Sequence, residues 1–254
     1  MLTDEQRRAF DEQGLLRLPG AVPRAEAERM AERIHAALAT EEVARHNSDN
    51  EWLRTRPGGF KQLKKEGAFD AVLDSDVPAA LDELFGVDAW TRPRGWGNPA
   101  VTYTTDAEWE LPTGSWHVDM PPTEDGRSRS VTVFVILTEL RPRGGGTLIV
   151  TGSHQLVRRF GQPDVHNRAQ RRILGAIHPW LADLWGRKPL PDRRRRYVEN
   201  GAVIEGVPVQ VVELTGDPGD TFLMRGDTFH AVAPNALVEP RTMLIKGIPL
   251  QSPA

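Results

Sequence analysis

From residue 91 to the C-terminus the sequence abandons helical spacing for short apolar runs broken by Gly, Pro and Asp, and this change restricts the fold more than any other feature. The runs at 101–105, 115–119, 130–137, 147–151, 207–214, 221–224 and 241–248 are each of strand length and rich in β-branched residues. Short strands that are not each followed by a helix build a sandwich or barrel, not a βαβ sheet. The long break at 155–199 is helical in flavour: Ile173, Leu174, Ile177, Leu181, Leu184 and Trp185 make an apolar stripe, interrupted at Pro179. The expectation is a mainly β fold with flanking helices. A jelly-roll core occupies 91–254 with a helical insertion at 155–199. Residues 1–90 form an N-terminal helical support, and 1–254 make one domain.

The N-terminal ninety residues read differently. Thr3 and Gln6 fit a capping box, so a short helix runs to about Gln13 and stops at Gly14. Residues 15–18 follow as a brief strand. After Pro23, the residues Ala27, Met30, Ala31, Ile34 and Leu38 form one apolar stripe of a second helix, with His35 beside it as a structural or solvent-facing residue. His46 falls in a polar loop. Residues 51–67 mix basic residues with Trp52 and Phe60; too few to mark a polyanion contact, they are expected to form an irregular loop near a site mouth. A short helix spans 78–85, with Pro78 in its first turn and Gly86 after its end.

The insertion is electrically distinct. Arg168, Arg171, Arg172, Arg187, Lys188 and Arg193 to Arg196 face only Asp183 and Asp192, while the whole chain carries a net charge of −3. A solvated helix face or a subunit contact is the favoured reading, and a cationic lid over an anionic substrate the alternative. The overall charge gives no reason to bind nucleic acid or an anionic membrane. The polar N-terminus and the lack of any long apolar run point to a cytoplasmic protein, monomer or homodimer.

Cysteine is absent, which removes disulfides, thiol nucleophiles, Fe–S clusters and thiolate zinc sites together. A metal would have to use His, Asp or Glu. The stretch GSWHVDM supplies such a pair, because His117 and Asp119 stand two apart and in an extended segment project from one face. The pair alone is also compatible with an ordinary strand making ordinary hydrogen bonds. A second His alongside would complete the two-His-one-carboxylate facial triad that holds Fe(II) and leaves positions open. His230, in GDTFLMRGDTFHAVAPN, sits 111 residues after Asp119, a spacing that suits opposite strands meeting inside a barrel. Eleven residues further on, Arg241 opens RTMLIKGIP and shares a face with Met243 and Ile245. An inward guanidinium needs a carboxylate, and its own strand offers none. A bound dicarboxylate, 2-oxoglutarate, would supply it.

Taken together, these segments resemble the phytanoyl-CoA dioxygenase family of Fe(II)/2-oxoglutarate-dependent oxygenases, many of whose bacterial members act in secondary metabolism. LTDEQRRAFDEQGLLRLPGAVP resembles the family's opening helix, strand and turn; His117 and Asp119 its metal pair; GGGTLIVTGSH its central strand and turn; the His230 segment its distal ligand; and Arg241 its cosubstrate arginine. The resemblance implies a double-stranded β-helix (cupin-like), with His117, Asp119 and His230 as iron ligands and catalytic centre and Arg241 on 2-oxoglutarate. It implies O2 as co-reactant and hydroxylation, or another oxidation, of a small molecule. Asp119 sets the chain apart from halogenating relatives, which replace that carboxylate with a small residue. Two departures stand out: Val232 occupies the place where a small hydroxyl residue often follows the distal His, and the insertion is long.

Weaker candidates are Thr104 for the cosubstrate and Tyr103, Trp116 and Met120 for substrate, with Trp96 and Trp109 as further pocket aromatics; plain barrel packing is the competing reading for each. His154, His166 and His178 are expected to bind nothing. Two other classes share the metal pair: a non-catalytic jelly-roll module holding a metal such as zinc, and a cupin-type metal isomerase. Cupins generally offer three or four His, and a binding module has no evident use for Arg241.

Overall fold

The computed structural model describes residues 1–40, 58–106, 108–163, 165–188 and 190–251. His46, Trp52 and residues 51–57 of the basic and aromatic stretch lie outside them. Thr3 caps α1 (Asp4–Gln13) through a complete capping box, and Gly14, at φ 72°, ends it in the left-handed conformation that glycine tolerates. β1 (Leu15–Leu18) and α2 (Arg24–Thr40) follow, and Ala27, Met30, Ala31, Ile34 and Leu38 of α2 are all buried. His35 reaches out from α2 to the Thr242 hydroxyl at 2.8 Å. Where an irregular loop was expected, Gly58–Lys65 is the helix α3, because Phe60 and Leu63 are three apart and both buried. α4 (Asp76–Phe85) is capped by Ser75 and stops at Gly86.

The strands form two antiparallel sheets. β2 (Asn98–Thr102), β3 (Ser130–Ile136), β7 (Thr221–Arg225) and β9 (Arg241–Pro249) join β1 in the order β1-β7-β3-β9-β2. β4 (Thr147–Thr151), β5 (Ala202–Ile204), β6 (Val207–Glu213) and β8 (His230–Val232) make the second sheet in the order β5-β6-β4-β8. This is the jelly roll anticipated from the strand pattern.

Strand alternation divides the interior into three apolar layers. Val131, Val133 and Val135 of β3 and Leu244 and Ile248 of β9 face the N-terminal helices. Phe134, Ile136, Ile149, Phe222, Met224 and Met243 fill the space between the sheets. Leu148, Val150, Val207, Val209, Val211 and Ala231 face the insertion. Every residue of β3 is therefore buried, which explains why its sequence is mostly apolar, with Ser130 and Thr132 the exceptions.

The insertion starts earlier than the periodicity suggests. Thr151 ends β4 and Ser153 already begins α5 (Ser153–Phe160), followed by α6 (Asn167–Ile177), α7 (Pro179–Trp185) and a π-helical turn, Arg195–Asn200. Its cations are not simply a solvated face. Arg193 is buried and donates to the carbonyls of Leu111 (2.6 Å), Leu184 (2.6 Å) and Pro112 (3.4 Å), and Arg196 pairs with Asp183 at 3.0 Å. Arg168, Arg172, Arg187 and Lys188 are exposed.

The segment 115–119 is a second departure. It is extended but not a strand; its ladder contact is an isolated bridge between His117 and His230. Its other edge meets a helix instead of a strand. Asn167 of α6 accepts from the Val118 N–H (2.8 Å) and donates to the Val118 carbonyl (3.1 Å), and Arg171 donates to the Trp116 carbonyl. Side chains of α6 thus satisfy the backbone groups that a sheet partner would otherwise take.

Candidate metal centre

The turn between β7 and β8 and the start of β3 fix the metal pair. His117 and His230 exchange backbone hydrogen bonds, N–H to carbonyl, at 3.0 and 2.9 Å. The Gly226 carbonyl accepts from the N–H groups of Asp119 (2.9 Å) and Met120 (3.1 Å), and the Gly226 N–H donates to Ser130 (2.8 Å). That close approach requires glycine: a Cβ at 226 would lie 2.0 Å from the Ser130 hydroxyl and 3.0 Å from its carbonyl. Beneath the turn, the fully buried Asp227 accepts from Ser128 (3.0 Å) and from Arg158 (2.7 Å).

Both imidazoles are held in one tautomer by the same local device. Nδ1 of His117 lies 3.0 Å from the Ser115 carbonyl, and Nδ1 of His230 lies 3.0 Å from the Thr228 carbonyl. A carbonyl can only accept, so each Nδ1 carries the proton and each Nε2 keeps its lone pair for a metal. The rings stand 4.2 Å apart between centroids, and His230 Nε2 is 3.6 Å from Asp119 Oδ1. One ligand atom from each of His117, Asp119 and His230 lies within 4.8 Å of the others. The second Asp119 oxygen accepts from the Thr132 hydroxyl at 2.5 Å. Burial pushes the Asp119 carboxyl up, but in the metal-free site, with the imidazoles protonated, the hydrogen bond and charge of His230, the Thr132 hydroxyl and the charge of His117 outweigh it and hold the group at about 2. Asp119 is thus an anion throughout the physiological range, as a carboxylate ligand to a metal has to be.

The three groups open into a cleft also lined by Asn98, Ala100, Thr132, Phe134, Thr147, Val232 and Ile245. Two neutral imidazole nitrogens and one carboxylate oxygen, with no thiolate in the chain, suit a divalent first-row metal such as Fe(II). Arg241 is outside this wall. It is 3% exposed, on the same face of β9 as Ile245 and Met243 and four residues along from Ile245, about 13 Å of strand. Its own strand offers no acid, but β6 does. Glu213 lies within electrostatic range of Arg241 and accepts from the N–H groups of Arg143 (2.8 Å) and Gly146 (3.1 Å); burial nevertheless leaves its pKa raised. Sequence reasoning missed Glu213 because nothing in the spacing links the end of β6 to the start of β9.

The weaker candidates are not among the residues that line this cleft. β2 ends at Thr102; beyond it Tyr103 packs against the layer under the N-terminal helices, and Thr104 is exposed beside Asn235. The alternation that brings His117 and Asp119 together turns Trp116 and Val118 the other way, into the layer beneath the insertion. Trp116 is fully buried there, with its indole N–H on the Pro112 carbonyl at 3.0 Å. Met120 is exposed, Trp96 is buried in the N-terminal layer, and Trp109 packs beneath the insertion. His154 is buried with Nε2 3.0 Å from the Asp11 carbonyl; His166 and His178 precede α6 and α7, and His178 accepts from Trp180. Sequence reasoning also missed Thr132, Thr147 and Asn98. The first two are hydroxyls at inward positions of otherwise apolar strands, a signal that alternation exposes once the register is known.

Comparison with known proteins agrees with this geometry. The family model described as Phytanoyl-CoA dioxygenase (PhyH) matches residues 10–243. Among solved structures, the chain is similar to the non-heme alpha ketoglutarate dependent carbocyclase SnoK from nogalamycin biosynthesis (16% identity, TM-score 0.61, covering 98% of this chain and 84% of that one). It is similar to AviO1 from Streptomyces viridochromogenes Tue57 (13%, 0.60, all of both chains). It is also similar to EvdO2 from Micromonospora carbonacea var. aurantiaca, solved with 2-oxoglutarate (13%, 0.58, all of this chain and 93% of that one). No curated protein matches in sequence. At these identities the structures establish a shared fold, and the match over residues 10–243 establishes the family: the chain belongs to the phytanoyl-CoA dioxygenase family.

Proposed function

We propose that this family member is a non-haem Fe(II)/2-oxoglutarate-dependent dioxygenase that oxidises a small organic molecule, with His117, Asp119 and His230 holding iron and Arg241 binding the far carboxylate of 2-oxoglutarate. The observation that carries the reading is the pair of imidazoles with both Nδ1 protons committed to backbone carbonyls, set beside a carboxylate fixed by Thr132. When bound, iron and 2-oxoglutarate supply with O2 the oxidising power, giving succinate, carbon dioxide and an oxidised substrate. The protein's share is to orient and to exclude water. Thr132 holds one Asp119 oxygen so that the other faces the imidazoles, and Phe134, Val232 and Ile245 make part of the wall apolar.

The small-molecule class draws support from SnoK, a carbocyclase of nogalamycin biosynthesis on the same fold. The net charge of −3 speaks against a nucleic-acid partner, and no described helix is long and apolar enough to cross a membrane. A cytoplasmic monomer or homodimer is the accompanying proposal. The test is succinate formation from 2-oxoglutarate by protein loaded anaerobically with Fe(II) and then given O2. The expected result is slow, substrate-independent succinate release that Asp119→Ala abolishes. Equal release by wild type and Asp119→Ala would overturn the reading.

A further inference from the structure

A cavity of about 570 Å³, separate from the metal cleft, is lined by Arg127, Arg129, Arg158 and Arg225. It lies on the opposite side of the main sheet. Met224 faces the space between the sheets, so alternation along β7 turns Leu223 and Arg225 toward the N-terminal helices, where Leu223 packs. Phe85, Ala89 and Leu250 give the cavity an apolar side, and none of its lining residues is shared with the cleft.

Four guanidiniums face one carboxylate in that lining, Asp88, so the wall calls for further anions. The acids nearby serve it unequally. Asp227 is fully buried and accepts from Arg158 Nε at 2.7 Å. Asp11, 3.1 Å from Arg225, and Asp125, 2.6 Å from Arg127, are exposed, and ion pairs of that kind are weak enough to be exchanged. Arg158 and Arg225 also hold donors in reserve: Nη2 of the first and Nε of the second are buried without a hydrogen-bond partner among the described residues. Burial, and after it the charge of Arg158, push the Arg225 guanidinium below its ordinary range. Two cations held close together at a cavity wall, each with an unused N–H, suit an oxyanion, which accepts paired charge-assisted hydrogen bonds from guanidinium forks.

We infer that this cavity binds a small molecule carrying an oxyanion group on an apolar body, the oxyanion held by Arg158 and Arg225 and the body resting on Phe85 and Leu250. The site adjoins the metal centre through the backbone, because Gly226, between Arg225 and Asp227, is the residue whose carbonyl receives the Asp119 and Met120 N–H groups.

Calorimetric titration of phenyl phosphate, benzoate and phenol into the full chain tests this. At least one of the two anions is expected to bind, with phenol tenfold weaker or more; the tighter anion shows whether the site takes a phosphate or a carboxylate. Arg225→Gln is expected to weaken that anion about tenfold, the loss of one charge-assisted contact. Arg158 is left in place, because its removal would strand the buried charge of Asp227. Should Arg225→Gln fail to fold, Arg127→Gln removes a charge from the exposed edge of the same cavity and is expected to weaken the anion severalfold. No binding of either anion by the wild type, phenol bound as tightly as the anions, or undiminished affinity in the folded variant would overturn the inference.

Discussion

Single hydrogen bonds determine what each side chain around the cleft can do. The Ser115 and Thr228 carbonyls select a tautomer, and Thr132 selects an oxygen of Asp119. The same logic away from the cleft makes His154 a pH-sensitive support. Burial pushes its imidazole down to about 4, with Arg158 adding to the effect and Asp227 opposing it, and its Nε2 proton is committed to the Asp11 carbonyl. The unfolded chain takes up that proton near the ordinary value of about 6.5, so it binds more protons than the folded one between about 6.5 and 4. Stability on this account is full above 6.5 and declines as pH falls through that window, by about 2 kcal/mol at pH 5 relative to pH 7. Urea denaturation at the two pH values should show this loss in wild type and less of it in His154→Gln; an unchanged slope would assign the acid sensitivity elsewhere. Of these residues, His117, Asp119 and His230 were legible from residue type and spacing. Thr132, Thr147 and Glu213 were not, because a hydroxyl or carboxylate inside a mostly apolar strand meets its surroundings only through segments that the fold brings alongside.

Between elements, the insertion acts on the metal segment through the backbone. Asn167 and Arg171, one turn apart on α6, grip Val118 and Trp116 on either side of His117, and Arg193 anchors residues 111 and 112 just upstream. A segment carrying two proposed metal ligands is thereby held straight without being a strand. The apolar stripe of 173–185 announced a helical insertion, but polar side chains bonded to another segment's backbone leave no periodic trace, so its cations read as a surface feature. Asn167→Ala removes two hydrogen bonds worth about 1–3 kcal/mol together, and the account expects a lower melting temperature and weaker iron binding. Iron affinity and melting temperature both at wild-type values would show that His117 and Asp119 hold their positions without α6.

Across the whole molecule, the three apolar layers explain which parts of the fold could be read in advance. β3 and β4 are buried on both faces and appear as mostly apolar runs without alternation, while β6 alternates, with one face on the insertion helices. The α1 capping box, the Gly14 stop and the stripe of α2 are local signals and read directly. The extended segment at 115–119 misled because strand-like alternation needs only an extended backbone, and pairing partners lie beyond local sequence. The scaffold's consequence is that β8, the 115–119 segment and β3 bring one imidazole, one imidazole with a carboxylate, and one orienting hydroxyl to a single point.

That convergence predicts a stoichiometry. Anaerobic equilibrium dialysis against Fe(II), comparing wild type with Asp119→Ala and His230→Ala, tests it most directly. One iron per wild-type chain is expected, lost or weakened by orders of magnitude in both variants, with 2-oxoglutarate uptake that follows the iron. Undiminished iron binding in either variant would contradict the assignment of His117, Asp119 and His230 as the metal centre.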